Sequence, residues 1–79
     1  MTPLNGMKLS SLIPGQHGTI HAIHAEHALH QRLNAMGFRI GKKIQLIRRA
    51  NFNGPLHVRI GATDIILRDI EAQRIQLTA

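Results

Sequence analysis

The chain has no cysteine, no tryptophan and no tyrosine, and its 79 residues carry four acidic side chains against ten basic ones. Each shortage excludes something. Without cysteine, neither disulfides nor thiolate metal sites are available, which fits a reducing compartment. Phe38 and Phe52 are the two phenylalanines, so the core has to be built from Ile, Leu, Val, Ala and Met. The same shortage leaves few stacking platforms of the kind on which single-stranded nucleic acid recognition leans, so a small nucleic-acid-binding barrel is the alternative and not the expected reading. The acids Glu26, Asp64, Asp69 and Glu71 stand in no recognisable order with a His and a nucleophile. Ser10 and Ser11 precede a Leu anchor rather than forming a nucleophile elbow. The chain is therefore not expected to be an enzyme. No apolar run approaches the roughly 18–20 residues of a membrane span, and Met1 to Ile13 lack the charged and apolar regions of an export signal. Neither membrane insertion nor export is expected.

What remains is a small, basic, aliphatic chain. The hydrophobic content of 43% is that of a globular domain, and the length predicts one domain, residues 8–79, behind a flexible tail of residues 1–7. The formal charge of +6 favours an acidic partner surface.

The chain is organised around Glu26 to Leu46. Leu29, Leu33 and Met36 fall at i, i+4 and i+7 and predict an amphipathic helix over residues 25–36. Gly37 follows where helices end in a left-handed turn. Gly41 allows a second sharp turn before a strand. Ahead of the helix, Pro14-Gly15 is a turn signal. Residues 18–24 alternate as a strand, with Ile20 and Ala22 facing one side and Thr19, His21 and Ile23 the other. After the helix, residues 42–50 read as a second strand, in which Ile47 breaks the alternation and suggests a bulge. Asn51-Phe52-Asn53-Gly54-Pro55 is a turn, with Asn-Gly taking positive φ and Pro55 stopping the ladder. Residues 56–60 form the clearest strand. Gly61 to Asp64 reverse the chain, and residues 65–68 form a fourth strand. Asp69 caps a short helical turn, and residues 74–78 form a fifth strand. About five short strands with one helix between the first two predict a mainly β fold, a small barrel or sandwich.

At this point an ordered set of residues resembles a known family: Leu9, Leu12-Ile13-Pro14-Gly15, Gly18 and Ile20; Arg32-Leu33, Met36-Gly37-Phe38 and Gly41; Gly54-Pro55-Leu56, Leu67-Arg68, Ala72 and Ile75. Together they look like the FeoA family of small accessory proteins in bacterial ferrous iron uptake. The resemblance implies an SH3-like barrel and a cytoplasmic location at the inner face of the membrane. It also implies a regulatory role beside a membrane ferrous iron transporter that carries a cytosolic GTPase domain. A similar domain ends some metal-dependent repressors, where it follows a DNA-binding domain.

Two constellations carry possible chemistry. His21, His24, His27 and His30 recur every third residue. Imidazole suits zinc or ferrous iron, and His27 and His30 share a helix face. On a strand, however, a step of three puts His21 and His24 on opposite faces. The four are expected to be exposed polar positions. A divalent metal on a His pair, even one that bridges a homodimer, is the sharper alternative, and no cofactor is required. The second constellation is basic: Arg32, Arg39, Lys42, Lys43, Arg48 and Arg49, with Phe52 exposed at the turn beside them. These are the expected partner-binding residues, unless Arg32 braces the Gly37 turn instead. Reversal of Arg48 and Arg49 to Glu is expected to weaken binding and leave stability unchanged. Gly15, Leu33, Gly37, Gly41, Gly54 and Pro55 are expected to serve structure. Gly37, Gly41 and Lys42 are superficially similar to a phosphate loop, but the spacing is one residue short and the helix precedes the loop rather than following it.

Overall fold

The computed structural model describes residues 7–78. The elements run β1 (Met7–Lys8), a 3-10 turn (Leu9–Ser11), β2 (His17–Ile23), α1 (His27–Ala35), β3 (Lys43–Arg49), β4 (Leu56–Ile60), β5 (Thr63–Leu67), α2 (Asp69–Ala72) and β6 (Ile75–Thr78). The strands form one six-stranded sheet in the order β1-β6-β2-β3-β4-β5, and every pairing is antiparallel. The fold is the expected mainly β one, with one more strand than the expected five. The extra strand, β1, is only two residues long, too short to show alternation, and is defined by pairing Met7 with Leu77 and Lys8 with Gln76. Of the expected tail, residues 1–6 lie outside the described residues, while Met7 belongs to β1.

The sheet wraps an aliphatic core. Leu9, Leu12, Ile20, Leu33, Phe38, Ile44, Leu46, Leu56, Val58, Leu67, Ala72, Ile75 and Leu77 are buried, with Ile60 and Ile65 nearly so. β4 keeps the predicted alternation: Leu56, Val58 and Ile60 point in, His57 and Arg59 out. Two bulges bend the sheet. One falls between Leu46 and Arg48, where Ile47 breaks the pattern as expected. The other falls between Ile20 and Ala22. This second bulge corrects the expected facing of Ile23: the extra residue, His21, resets the alternation, and Ile23 packs against the core.

α1 crosses from β2 to its neighbour β3. Leu33 is its one fully buried residue, with Leu29 and Met36 packed at the core edge. Gly37 ends it at φ +102°, and Phe38 N–H donates to Leu33 O at 2.9 Å. That conformation suits glycine because a Cβ in the left-handed region is strained. Gly41 and Gly15 tie neighbouring strands through N–H bonds to Ile20 O and Leu46 O, both at 2.8 Å.

The β3–β4 turn differs from the expectation in detail. Positive φ falls on Phe52 (59°) and Asn53 (57°) rather than on Gly54. Gly54 N–H donates to Asn51 O at 3.1 Å, closing a turn with Phe52 and Asn53 at its centre. These are the φ signs of a type I′ turn, whose twist matches that of the strands it joins. Gly54 is needed for space: a Cβ there would sit 2.7 Å from Ala50 Cβ and 3.0 Å from Asn51 O.

Candidate functional site

No cleft gathers the chemistry, so the candidate site is a surface. Its electrostatics begin with the acids, three of which are occupied within the domain. Glu71 is 7% exposed on α2. Its carboxylate accepts from the Arg68 backbone N–H at 2.9 Å and forms an ion pair with Arg32 Nη2. Arg32 therefore clips α1 to α2 and does not brace the Gly37 turn. Asp69 accepts from Arg49 Nη1 at 3.2 Å and from Gln73 Nε2 at 2.8 Å. Its carboxylate serves these two side chains and caps nothing: the N-cap of α2 is Arg68, whose carbonyl accepts the Glu71 and Ala72 N–H groups at 3.0 Å, so the expected Asp69 cap lies one residue too late. Asp64 accepts from Arg59 Nε at 2.6 Å and Nη2 at 3.1 Å, with His57 Nε2 3.0 Å away but outside hydrogen-bond geometry. The Arg59 guanidinium, helped by His57, lowers the Asp64 pKa to about 2, and Asp64 in turn raises that of Arg59.

The ten basic residues therefore divide. Arg32, Arg49 and Arg59 are paired. Arg49 is the clearest departure from the expected partner-binding set. Its side chain is 22% exposed, and beyond Asp69 it donates to the backbone oxygens of Ser10 and Leu12. It holds the 3-10 turn, β3 and α2 together, so reversing its charge has to cost stability. Among the described residues, Lys8, Arg39, Lys42, Lys43, Arg48, Arg68 and Arg74 make no ion pair. Arg39 donates to Asn34 Oδ1 at 3.0 Å and stays exposed.

Four of these unpaired cations lie toward the two ends of β3. Arg39, Lys42 and Lys43 lie at the start of β3. Arg48 lies at its other end, five residues on, or about 17 Å at the rise of a strand. Phe52 is beyond Arg48 and 98% exposed. Two hollows meet at Pro55. One, of about 260 Å³, is lined by Arg48, Ala50, Pro55, His57 and Ile66. The other, of about 390 Å³, is lined by Asn53, Gly54, Pro55, Arg68, Asp69 and Ile70. Ile66 and Ile70 are 63% and 65% exposed. Sequence reasoning missed both: Ile66 is the outward residue of β5 between the inward Ile65 and Leu67, and Ile70 stands in the four-residue α2, too short to show a period. A larger hollow of about 610 Å³ lies between the helices, over Leu29, Arg32, Ile70 and Arg74.

The histidines do not converge. His21 is exposed at the β2 bulge. His24 Nε2 lies 3.0 Å from Gln76 Oε1. His27 and His30 are exposed on α1. Among the described residues, no three His, Cys, Asp or Glu side chains are grouped to hold a metal ion. No helix among them is long and apolar enough to cross a membrane.

Comparison with known proteins fits this geometry. The model of the FeoA domain matches residues 7–79. A solved iron(II) transport protein A from Clostridium thermocellum is 36% identical, with a TM-score of 0.86 over 91% of this chain. This chain spans 44% of that one. FeoA from Chlorobium tepidum is 30% identical, with a TM-score of 0.84 over 91% of this chain and 69% of its own. FeoA from Stenotrophomonas maltophilia, solved with zinc, is 28% identical, with a TM-score of 0.79 over 90% of this chain and 88% of its own. It is described as an SH3 domain protein and a candidate activating factor of bacterial ferrous iron transport. A manganese-dependent transcriptional repressor shares the fold at 22% identity. No curated protein matches the chain.

Proposed function

Because the chain belongs to the FeoA family, a family of ferrous iron transport, we propose that it is a non-enzymatic accessory protein of ferrous iron uptake. It acts in the cytoplasm at the inner face of the membrane. There it docks on the cytosolic, GTPase-bearing part of a ferrous iron transporter and promotes or gates transport. The observation that carries the docking is the division of charge. Asp64, Asp69 and Glu71 are held by arginines within the domain, while Arg39, Lys42, Lys43 and Arg48 are left without a carboxylate. Such a surface is completed by an acidic partner, and electrostatic steering of this kind raises association rates more than it deepens affinity.

The test is a titration of the chain against the purified cytosolic part of the transporter at rising salt. Binding that weakens with salt, and weakens further on combined Lys42→Gln and Lys43→Gln substitution, is the expected result. Absence of binding at low salt overturns the reading. Salt-sensitive binding to RNA or DNA in its place would assign the charge to nucleic acid.

A further inference from the structure

The two phenylalanines have opposite fates. Phe38 is fully buried, while Phe52 is 98% exposed at the tip of the β3–β4 hairpin. Phe52 is also in an unfavourable backbone region. With φ at 59° it occupies the first central position of a left-handed turn, where Asn, Asp and Gly are the residues that fit. An aromatic ring there contributes nothing to the core and works against the turn. Outliers of this kind persist where the side chain has a use.

What surrounds the ring indicates the use. The next three residues of the turn, Asn53, Gly54 and Pro55, line a hollow of about 390 Å³ together with Ile70, Arg68 and Asp69. Arg68 lines this hollow, Arg48 lines the adjoining one, and neither has a carboxylate partner. Asp69, the one acid in the wall, is already held by Arg49 and Gln73. The arrangement is a protruding aromatic next to a depression, flanked by free arginines. Interfaces concentrate their binding energy in aromatic and Arg side chains seated in pockets.

The geometry points to the Asn51–Pro55 turn and the Ile70 hollow as the anchor of a protein docking surface. Its occupant is an acidic protein face that offers a pocket to the Phe52 ring and an apolar side chain to the hollow. This rests on the docking reading above and names the part of the surface that carries it. A second copy of the chain fits worse, since it would bring Arg48 and Arg68 against their own kind. A lipid surface would take the ring but leave a shaped hollow beside it unfilled.

The experiment uses Phe52→Asn and Ile70→Ser on the full chain. The probes are the purified cytosolic part of the transporter, vesicles of phosphatidylcholine with phosphatidylglycerol, and the chain itself in sedimentation. Phe52→Asn places a favoured residue in the turn, so its thermal midpoint should hold or rise. Both variants should bind the transporter at least about tenfold more weakly. Wild-type affinity for the transporter in both variants overturns the inference and leaves the docking reading intact. Failure of the unsubstituted chain to bind removes the docking reading and this inference with it. Loss confined to vesicles, or to self-association, overturns the protein anchor in favour of lipid or of a second copy.

Discussion

Arg49 donates through Nη1 to Asp69 Oδ1 at 3.2 Å, tying the end of β3 to the first turn of α2. Arg48, its chain neighbour, points outward and is exposed. Adjacent arginines on a strand face opposite ways, and that alternation gives the two different work.

Arg49→Gln should therefore destabilise the domain by about 2–3 kcal/mol, because a part-buried carboxylate and two backbone carbonyls lose their donor. Arg48→Gln should leave stability within about 0.5 kcal/mol. Denaturant midpoints of the two variants check this. Equal midpoints would mean that the Arg49 contacts are worth no more than a surface pair.

The second arginine clip joins the helices. Glu71→Ala should cost about 2 kcal/mol, since it removes the acceptor for the Arg68 N–H and strips Arg32 of its partner. Arg32→Ala should cost less, about 1 kcal/mol, because Arg32 is 55% exposed. Hydrogen exchange at α1 and α2 is the readout, and faster exchange at both helices in Glu71→Ala is the expected sign.

Asp64 ties stability to pH. Its folded pKa, about 2, lies below the ordinary 3.8 because Arg59 and His57 favour the carboxylate. A depressed carboxylate contributes stability above its unfolded pKa and loses it as pH falls through the folded one. The wild type should therefore melt higher than Asp64→Asn above about pH 4 and lose that advantage as pH falls from about 4 to 2. Melting curves that run parallel over this window would show that the pairing does not persist in solution.

Gly37 and Gly54 should fail for different reasons. Gly37→Ala meets open space but keeps a φ of +102°, a strain of about 1 kcal/mol. Gly54→Ala meets Ala50 Cβ at 2.7 Å. Ala50→Gly should partly rescue Gly54→Ala and leave Gly37→Ala unchanged. Thermal midpoints of the single and paired variants decide it.

Much of this fold was legible before the structure. The helix stripe of Leu29, Leu33 and Met36, the alternation of Leu56, Val58 and Ile60 and the bulge at Ile47 are local patterns, set by the periods of helix and strand. They appear where the sequence places them. β1 was not legible, because a two-residue strand exists only through its partner β6. Neither was the bulge at His21, which turns Ile23 to the core.

The sequence by itself determined the chemistry available: an aliphatic core, no thiol, few acids, an excess of cations and one phenylalanine placed in a turn. Those are inventories and short-range periods, and they need no third dimension. Tertiary structure alone decided which cations are free. Arg32 and Glu71 are 39 positions apart, and Arg49 and Asp69 are 20 apart. No local pattern pairs them. The fold does, by bringing α2 within side-chain reach of α1 and of the end of β3, and so it divides the structural arginines from those left for a partner.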